Sequence, residues 1–264
     1  MIAGRLPRKR RLPLATGAIE YVLSGRGPAT LVLFNGAGVT LEGWSRLYPD
    51  IERLGRVVAW NRFGTGASTP PRGAQDGLQV VATAREVLRR LSLEPPYVLV
   101  GHSLGGLHAQ LFARRHSEEV AGVVLLEATH PRDRELLHGH EPQLAKVLGK
   151  LLSIPQQLFR PNLHAELDWL DEAADEVEAA GPFPSVPLAV VSGGNDPPRW
   201  LVPPSALRIR RRHQKELALL SPLGMHAVAR RSGHFPQITQ PSLVVDAIRS
   251  VVHAAAPGAP RVPS

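Results

Sequence analysis

Apolar residues in this chain fall into two kinds of run. Short blocks that are apolar almost throughout, at residues 19–23, 30–34, 56–60, 97–100, 120–126, 187–191 and 227–229, alternate with longer stretches of three-and-four spacing. The blocks predict strands and the periodic stretches predict amphipathic helices. Helical spacing covers 74–91, 104–116 and 242–255. Leu78, Val81, Val87, Leu88 and Leu91 supply the expected buried face of the first, and Leu243, Val244, Ile248 and Val252 that of the last. Strand alternating with helix is the pattern of a mostly parallel sheet covered on both faces.

The alternation breaks once. Between the strand ending near 126 and the one starting at 187, no strand is expected. Leu163, Leu167, Leu170, Ala174 and Val177 recur there at helical spacing, and Glu166, Asp168, Asp171, Glu172, Asp175, Glu176 and Glu178 occupy the other face. Residues 131–186 therefore read as a helical insertion, a cap or lid over a site, with extra helices packed on the domain as the plainer reading. The core is expected at 14–130 and 187–256, preceded by a basic flexible arm at 1–13 and followed by a disordered tail at 257–264.

Composition narrows the class. The 264 residues, 43% hydrophobic and 20% charged, suit one large soluble domain. No apolar run reaches bilayer length, and no apolar signal core follows the basic N-terminus, so a cytoplasmic protein is expected. The chain has no cysteine, which excludes disulfides and thiolate metal sites. Its net charge of +8 gathers in the arm and at Arg208, Arg210, Arg211, Arg212 and Lys215. No aromatic residues interleave these runs, so a solvated basic face is expected rather than a nucleic-acid site.

Candidate chemistry centres on Gly101-His102-Ser103-Leu104-Gly105, set between an apolar strand and a helical stretch. A serine flanked at two residues by glycine, at a strand-to-helix junction, is the pattern of a nucleophile elbow. The turn is so sharp that a side chain at 101 or 105 would collide with neighbouring backbone. Serine becomes a nucleophile only when a base takes its proton, and histidine titrates in the right range. The chain offers 11 histidines for that role. His102 is expected to point away from the site as a structural group, and His108 and His116 to be packing or surface residues. His138, His140 and Glu141 lack a third ligand at metal spacing, so no metal is expected.

With this motif in place, the chain from about 17 to 255 resembles the α/β-hydrolase superfamily. Residues 30–38 (TLVLFNGAG) resemble its strand and oxyanion loop, and 57–68 (VVAWNRFGTGAS) the strand and loop written Asp-Arg-x-Gly-x-Gly-x-Ser. Residues 122–131 (GVVLLEATHP) resemble the strand after the elbow helix, and 232–237 (SGHFPQ) the loop carrying the catalytic histidine. Asn35 stands where many members have His, and Asn61 where many have Asp.

The resemblance implies an eight-stranded α/β fold, with Ser103 as nucleophile and His234 as base. For the orienting acid it implies Asp196, at the end of 187–196 (PLAVVSGGND), with Glu127 at the end of the preceding strand as the alternative. Backbone amides of Leu104 and Ala37 are expected to form the oxyanion hole. The Gly-rich stretch at 36–41 fails as a dinucleotide fingerprint, because Leu41 stands where its third glycine would fall. Serine at the elbow argues against aspartate-based dehalogenases and epoxide hydrolases. The expected activity is therefore hydrolysis of a small-molecule ester through an acyl-enzyme, without cofactor or metal. Acyl transfer and carbon–carbon bond hydrolysis use the same parts, and a non-hydrolytic receptor of the same fold is the alternative of another class. Oligomeric state is not legible.

Overall fold

The computed structural model describes residues 4–133, 166–197 and 202–256. Its strands are β1 (Arg10–Leu14), β2 (Gly17–Ser24), β3 (Thr30–Phe34), β4 (Arg56–Trp60), β5 (Tyr97–His102), β6 (Val120–Leu126), β7 (Leu188–Gly193) and β8 (Gly224–Ala229). They form one sheet in the order β1-β2-β4-β3-β5-β6-β7-β8. β1 pairs antiparallel with β2, and β2 with β4; every other pairing is parallel. β3 lies inside the sheet with every residue buried, because helices cover both of its faces.

The helices are α1 (Tyr48–Ile51), α2 (Gly77–Arg90), α3 (Leu104–Arg115), α4 (Leu170–Ala179), α5 (Pro204–Ala218), α6 (Pro236–Thr239) and α7 (Pro241–Ala254). The twofold period of the strands divides the core. Val32, Phe34, Val58 and Leu99 pack with residues of α2, α3 and α4 on one side. Leu31, Leu33, Val57 and Val98 pack with Trp44, Tyr48, Val244 and Ile248 on the other.

Three departures from the sequence reading have local causes. Residues 10–13, expected in a flexible arm, belong to β1, where Leu12 faces Ile19 and Leu14 faces Gly17. The alternation Arg11, Leu12, Pro13, Leu14 carries this edge strand, with the charged positions exposed. α2 begins at Gly77, where the Asp76 carboxylate accepts the Gln79 N–H at 2.7 Å, so Leu78 sits in the first turn, 42% exposed. β8 begins at Gly224 rather than 227, and as an edge strand it leaves Met225 and Val228 about half exposed.

Within the expected insertion, α4 buries Leu170, Ala173, Ala174 and Val177 against α2 and α3. This part is core. Residues 134–165 of the expected lid, with Leu163, and the expected tail lie outside the described residues. Among the described residues, no helix is long and apolar enough to cross a membrane.

Phe112 of α3 fixes the elbow helix to the sheet. It is fully buried and meets Phe34 and Tyr97 edge-on, with ring centroids 6.4 and 6.2 Å away. Phe112→Ala should cost about 3–5 kcal/mol of unfolding free energy, read from urea denaturation.

Candidate active site

Ser103 occupies the turn between β5 and α3 with φ 53° and ψ −122°, a conformation an L-residue adopts only under constraint. Its N–H donates to Leu126 O at 3.1 Å, and its carbonyl accepts the N–H groups of Gly106 and Thr129 at 2.8 and 3.1 Å. The flanking glycines let the chains approach. A Cβ at Gly105 would lie 2.2 Å from Phe34 O, and one at Gly101 would lie 2.5 Å from Gly105 O.

His234 enters from the loop after β8, with its Nε2 3.1 Å from Ser103 Oγ. His102 does not point away, as expected from the sequence, but supports this loop from below. Its Nε2 donates to the His234 carbonyl at 2.8 Å, and the two rings lie 5.0 Å apart. Burial pushes the His102 ring down to about 3, aided by His234, so it stays neutral. Burial also lowers the basicity of His234, against the raising effect of Glu127.

The two candidate acids part company. Glu127, just past β6, has φ 43° and places Oε2 3.4 Å from His234 Nδ1. Its Oε1 accepts the Gly193 N–H at 2.6 Å, and Oε2 also accepts Arg210 Nη2 of α5 at 2.7 Å. Burial alone would raise this carboxyl, but Arg210, His234 and the Gly193 amide outweigh it and hold it at about 2. Asp196, favoured from the sequence, instead turns to the surface and takes Arg211 Nη2 with both oxygens, at 2.7 and 2.6 Å. Nothing in the two loop sequences distinguishes them, because the choice lies in backbone direction and in which arginine each carboxylate meets.

Sequence reasoning missed an ion pair beside the loop at residues 35–38. Arg62 donates through Nη1 to Asn35 O at 2.7 Å and through Nη2 to Gly36 O at 2.8 Å. Its Nε meets Glu166 Oε1 at 2.5 Å, while Glu166 Oε2 accepts the Gly38 N–H at 2.6 Å. Both side chains are buried. The loop is thus gripped at three of its four residues. The remaining one, Ala37, and Leu104 have backbone amides that bond to no described residue. Asn35 and Asn61 brace the same region: Asn35 bonds Trp60 O and the Trp44 indole, and Asn61 bonds the Leu41 N–H and Glu20.

Beside Leu104 a small pocket opens between Phe63, Val80 and Trp169, with the Arg62–Glu166 pair and buried His108 in its wall. The basic run on α5 is largely spent within the fold, since Arg210, Arg211 and Arg212 pair with Glu127, Asp196 and Glu216. His116, Glu118 and Glu119 lie close enough to share an ion, but Glu119 is already bound by Arg85 at 2.5 Å. His138, His140 and Glu141 lie outside the described residues.

Residues 29–167, just over half the chain, match a family described by the alpha/beta hydrolase fold. The uncharacterized protein YqjL of Bacillus subtilis is 30% identical over 103 residues, which cover 39% of this chain and 41% of that one. A 2-hydroxy-6-oxo-2,4-heptadienoate hydrolase of Pseudomonas putida is 36% identical over 123 residues, covering 45% and 44%. Each match spans less than half of the relative's length. A thermophilic esterase from Thermogutta terrifontis superposes with a TM-score of 0.67 at 20% identity, over 94% of this chain and 99% of that one, a likeness of fold.

The buried pair generates a stability test. Glu166→Ala strands the Arg62 guanidinium and should cost about 3–5 kcal/mol. Glu166→Gln keeps one acceptor oxygen, for either Arg62 Nε or the Gly38 N–H, and sets an NH2 donor against the other, so it should recover only part of that loss, as judged by urea unfolding midpoints.

Proposed function

The chain belongs to the α/β-hydrolase fold family, and from that premise we propose that it is a serine hydrolase acting on a small-molecule carboxylic ester. The observation that carries this reading is the 3.1 Å approach of His234 Nε2 to Ser103 Oγ on a constrained turn. Ser103 Oγ attacks the ester carbonyl carbon while His234 Nε2 takes the hydroxyl proton. The carbonyl electrons move onto oxygen, where the amides of Leu104 and Ala37 receive the charge. As the tetrahedral species collapses, the carbon–oxygen bond to the alcohol breaks and His234 returns its proton to the leaving oxygen. Water, deprotonated by the same imidazole, then releases the acid from Ser103.

Glu127 is the orienting acid in this proposal, and Asp196 is the partner of Arg211. A carboxylate held ionised beside Nδ1 stabilises the imidazolium that forms during attack. The apolar lining of Phe63, Val80 and Trp169 beside Leu104 suits an uncharged acyl group. The Pseudomonas relative makes a 2-hydroxy-6-oxo-dienoate the second substrate to assay, with carbon–carbon cleavage by the same residues as the competing reading.

A fluorophosphonate probe should label the protein at Ser103, and Ser103→Ala should abolish both labelling and turnover on an ester panel. Glu127→Gln should lower kcat by about 10³-fold, while Asp196→Asn should leave kcat within about twofold. The reverse ranking would transfer the acid's role to Asp196. An unlabelled protein with no turnover would favour the receptor reading.

A further inference from the structure

Arg210 lies where a serine hydrolase has least use for a cation. Its Nη2 donates to Glu127 Oε2 at 2.7 Å and lies 3.2 Å from His234 Nδ1, whereas Nδ1 is 3.4 Å from that same carboxylate oxygen. The arginine therefore holds the oxygen at full hydrogen-bond length, and the imidazole stands beyond a good one. Guanidinium nitrogens only donate, so the Arg210–His234 contact is a hydrogen bond only when Nδ1 carries the lone pair and the proton sits on Nε2. In that tautomer Nε2–H points at Ser103 Oγ at 3.1 Å and has nothing with which to accept the hydroxyl proton.

We propose that Arg210 is a positioning residue that competes with His234 for Glu127 and keeps the resting imidazole in its unproductive tautomer, so that acylation waits on the arginine's release. The proposal rests on the serine-hydrolase reading above. Ser103 becomes a nucleophile when the guanidinium swings off, Nδ1 takes the proton and donates it to Glu127, and Nε2 is left with its lone pair. The Arg210 side chain is 36% exposed and that of Glu127 8% exposed, so of the two the arginine is the one with a path to solvent.

The surrounding charges point the same way. Among the described residues, Glu127 past β6, Arg210 of α5, neutral His102 of β5 and Asp133 act on His234. Arg210 is the full positive charge in that set, and it opposes the imidazolium. On its own side Arg210 faces Glu127 and Asp133, and its charge also lowers the basicity of His234 and His102. Removing it leaves the negative charge of Glu127 uncompensated beside Nδ1, so His234 becomes a stronger base. The sign follows: a more basic histidine stays protonated to higher pH, so activity is lost earlier on acidification, and on the alkaline side attack is faster.

The test compares the parent with Arg210→Met, which removes both donors and charge, and with Arg210→Lys, which keeps the charge. Two quantities are read: the pH profile of fluorophosphonate labelling at Ser103, and the ring-nitrogen ¹⁵N shifts of His234. For Arg210→Met the acid limb should move up by about one pH unit, with labelling above it about 10-fold faster. The ¹⁵N pattern should change from a lone pair on Nδ1 to a proton on Nδ1. Arg210→Lys should keep the parent's acid limb, which separates the charge from any general effect on folding. Two results would overturn the proposal: a parent already protonated at Nδ1, or an Arg210→Met profile that falls equally at all pH with its limb unmoved. A parent that never labels would end the hydrolase reading, while the ring-nitrogen shifts would still decide what Arg210 does to the imidazole.

Discussion

The turn at Ser103 is the constraint on which the other features of the site depend. A non-glycine residue at φ 53° and ψ −122° carries a backbone cost of about 1–3 kcal/mol and persists only where its surroundings over-determine it. Here they do. The amide of Ser103 is tied to the end of β6, its carbonyl receives two N–H groups, and the next turn of α3 lies against the backbone of Phe34 and Asn35. Packing of Phe112 against Phe34 and Tyr97 fixes the same helix from below. The hydroxyl is thus presented at the carboxyl end of a central parallel strand, where open α/β sheets place their ligands.

The same sheet order determines which acid is within reach. β6 lies directly beside β5, so the residue after β6 emerges next to the elbow, and φ 43° at Glu127 turns its side chain toward the loop carrying His234. Asp196 follows β7, one strand further out, and beyond β7 its chain runs toward α5 and Arg211. Both carboxylates meet an arginine of α5. One pair closes over His234, and the other stays at the surface.

Much of the fold is legible in the sequence because buried parallel strands read as unbroken apolar blocks and their helices keep a clear period. Edge elements are less so. β1 is hidden in a basic run whose Leu12 and Leu14 alternate with charge and proline, and β8 is extended by Met225 and His226, which no second neighbour buries. Within the site, Ser103 is legible because its constraint is local and leaves glycines behind, and His234 because its loop resembles a known one. Which carboxylate meets His234 is not, since two adjacent strands end in loops that each offer one. Arg62, Glu166 and Arg210 are invisible for the same reason: each acts on residues distant in the chain, and an arginine on an amphipathic helix reads as surface.

The two arginines at the site are exposed to opposite degrees, and that difference separates their roles. Arg62 and Glu166 are 7% and 6% exposed, so neither charge can leave without the full penalty of stranding the other, and the loop they grip is held in one arrangement. Arg210 is 36% exposed opposite a carboxylate only 8% exposed. On the proposal above, Arg210 leaves toward solvent while Glu127 keeps the Gly193 amide and gains His234 in exchange. A buried pair therefore holds the loop at residues 35–38 in place, while a partly exposed one is the pair that our proposal has open and close beside His234.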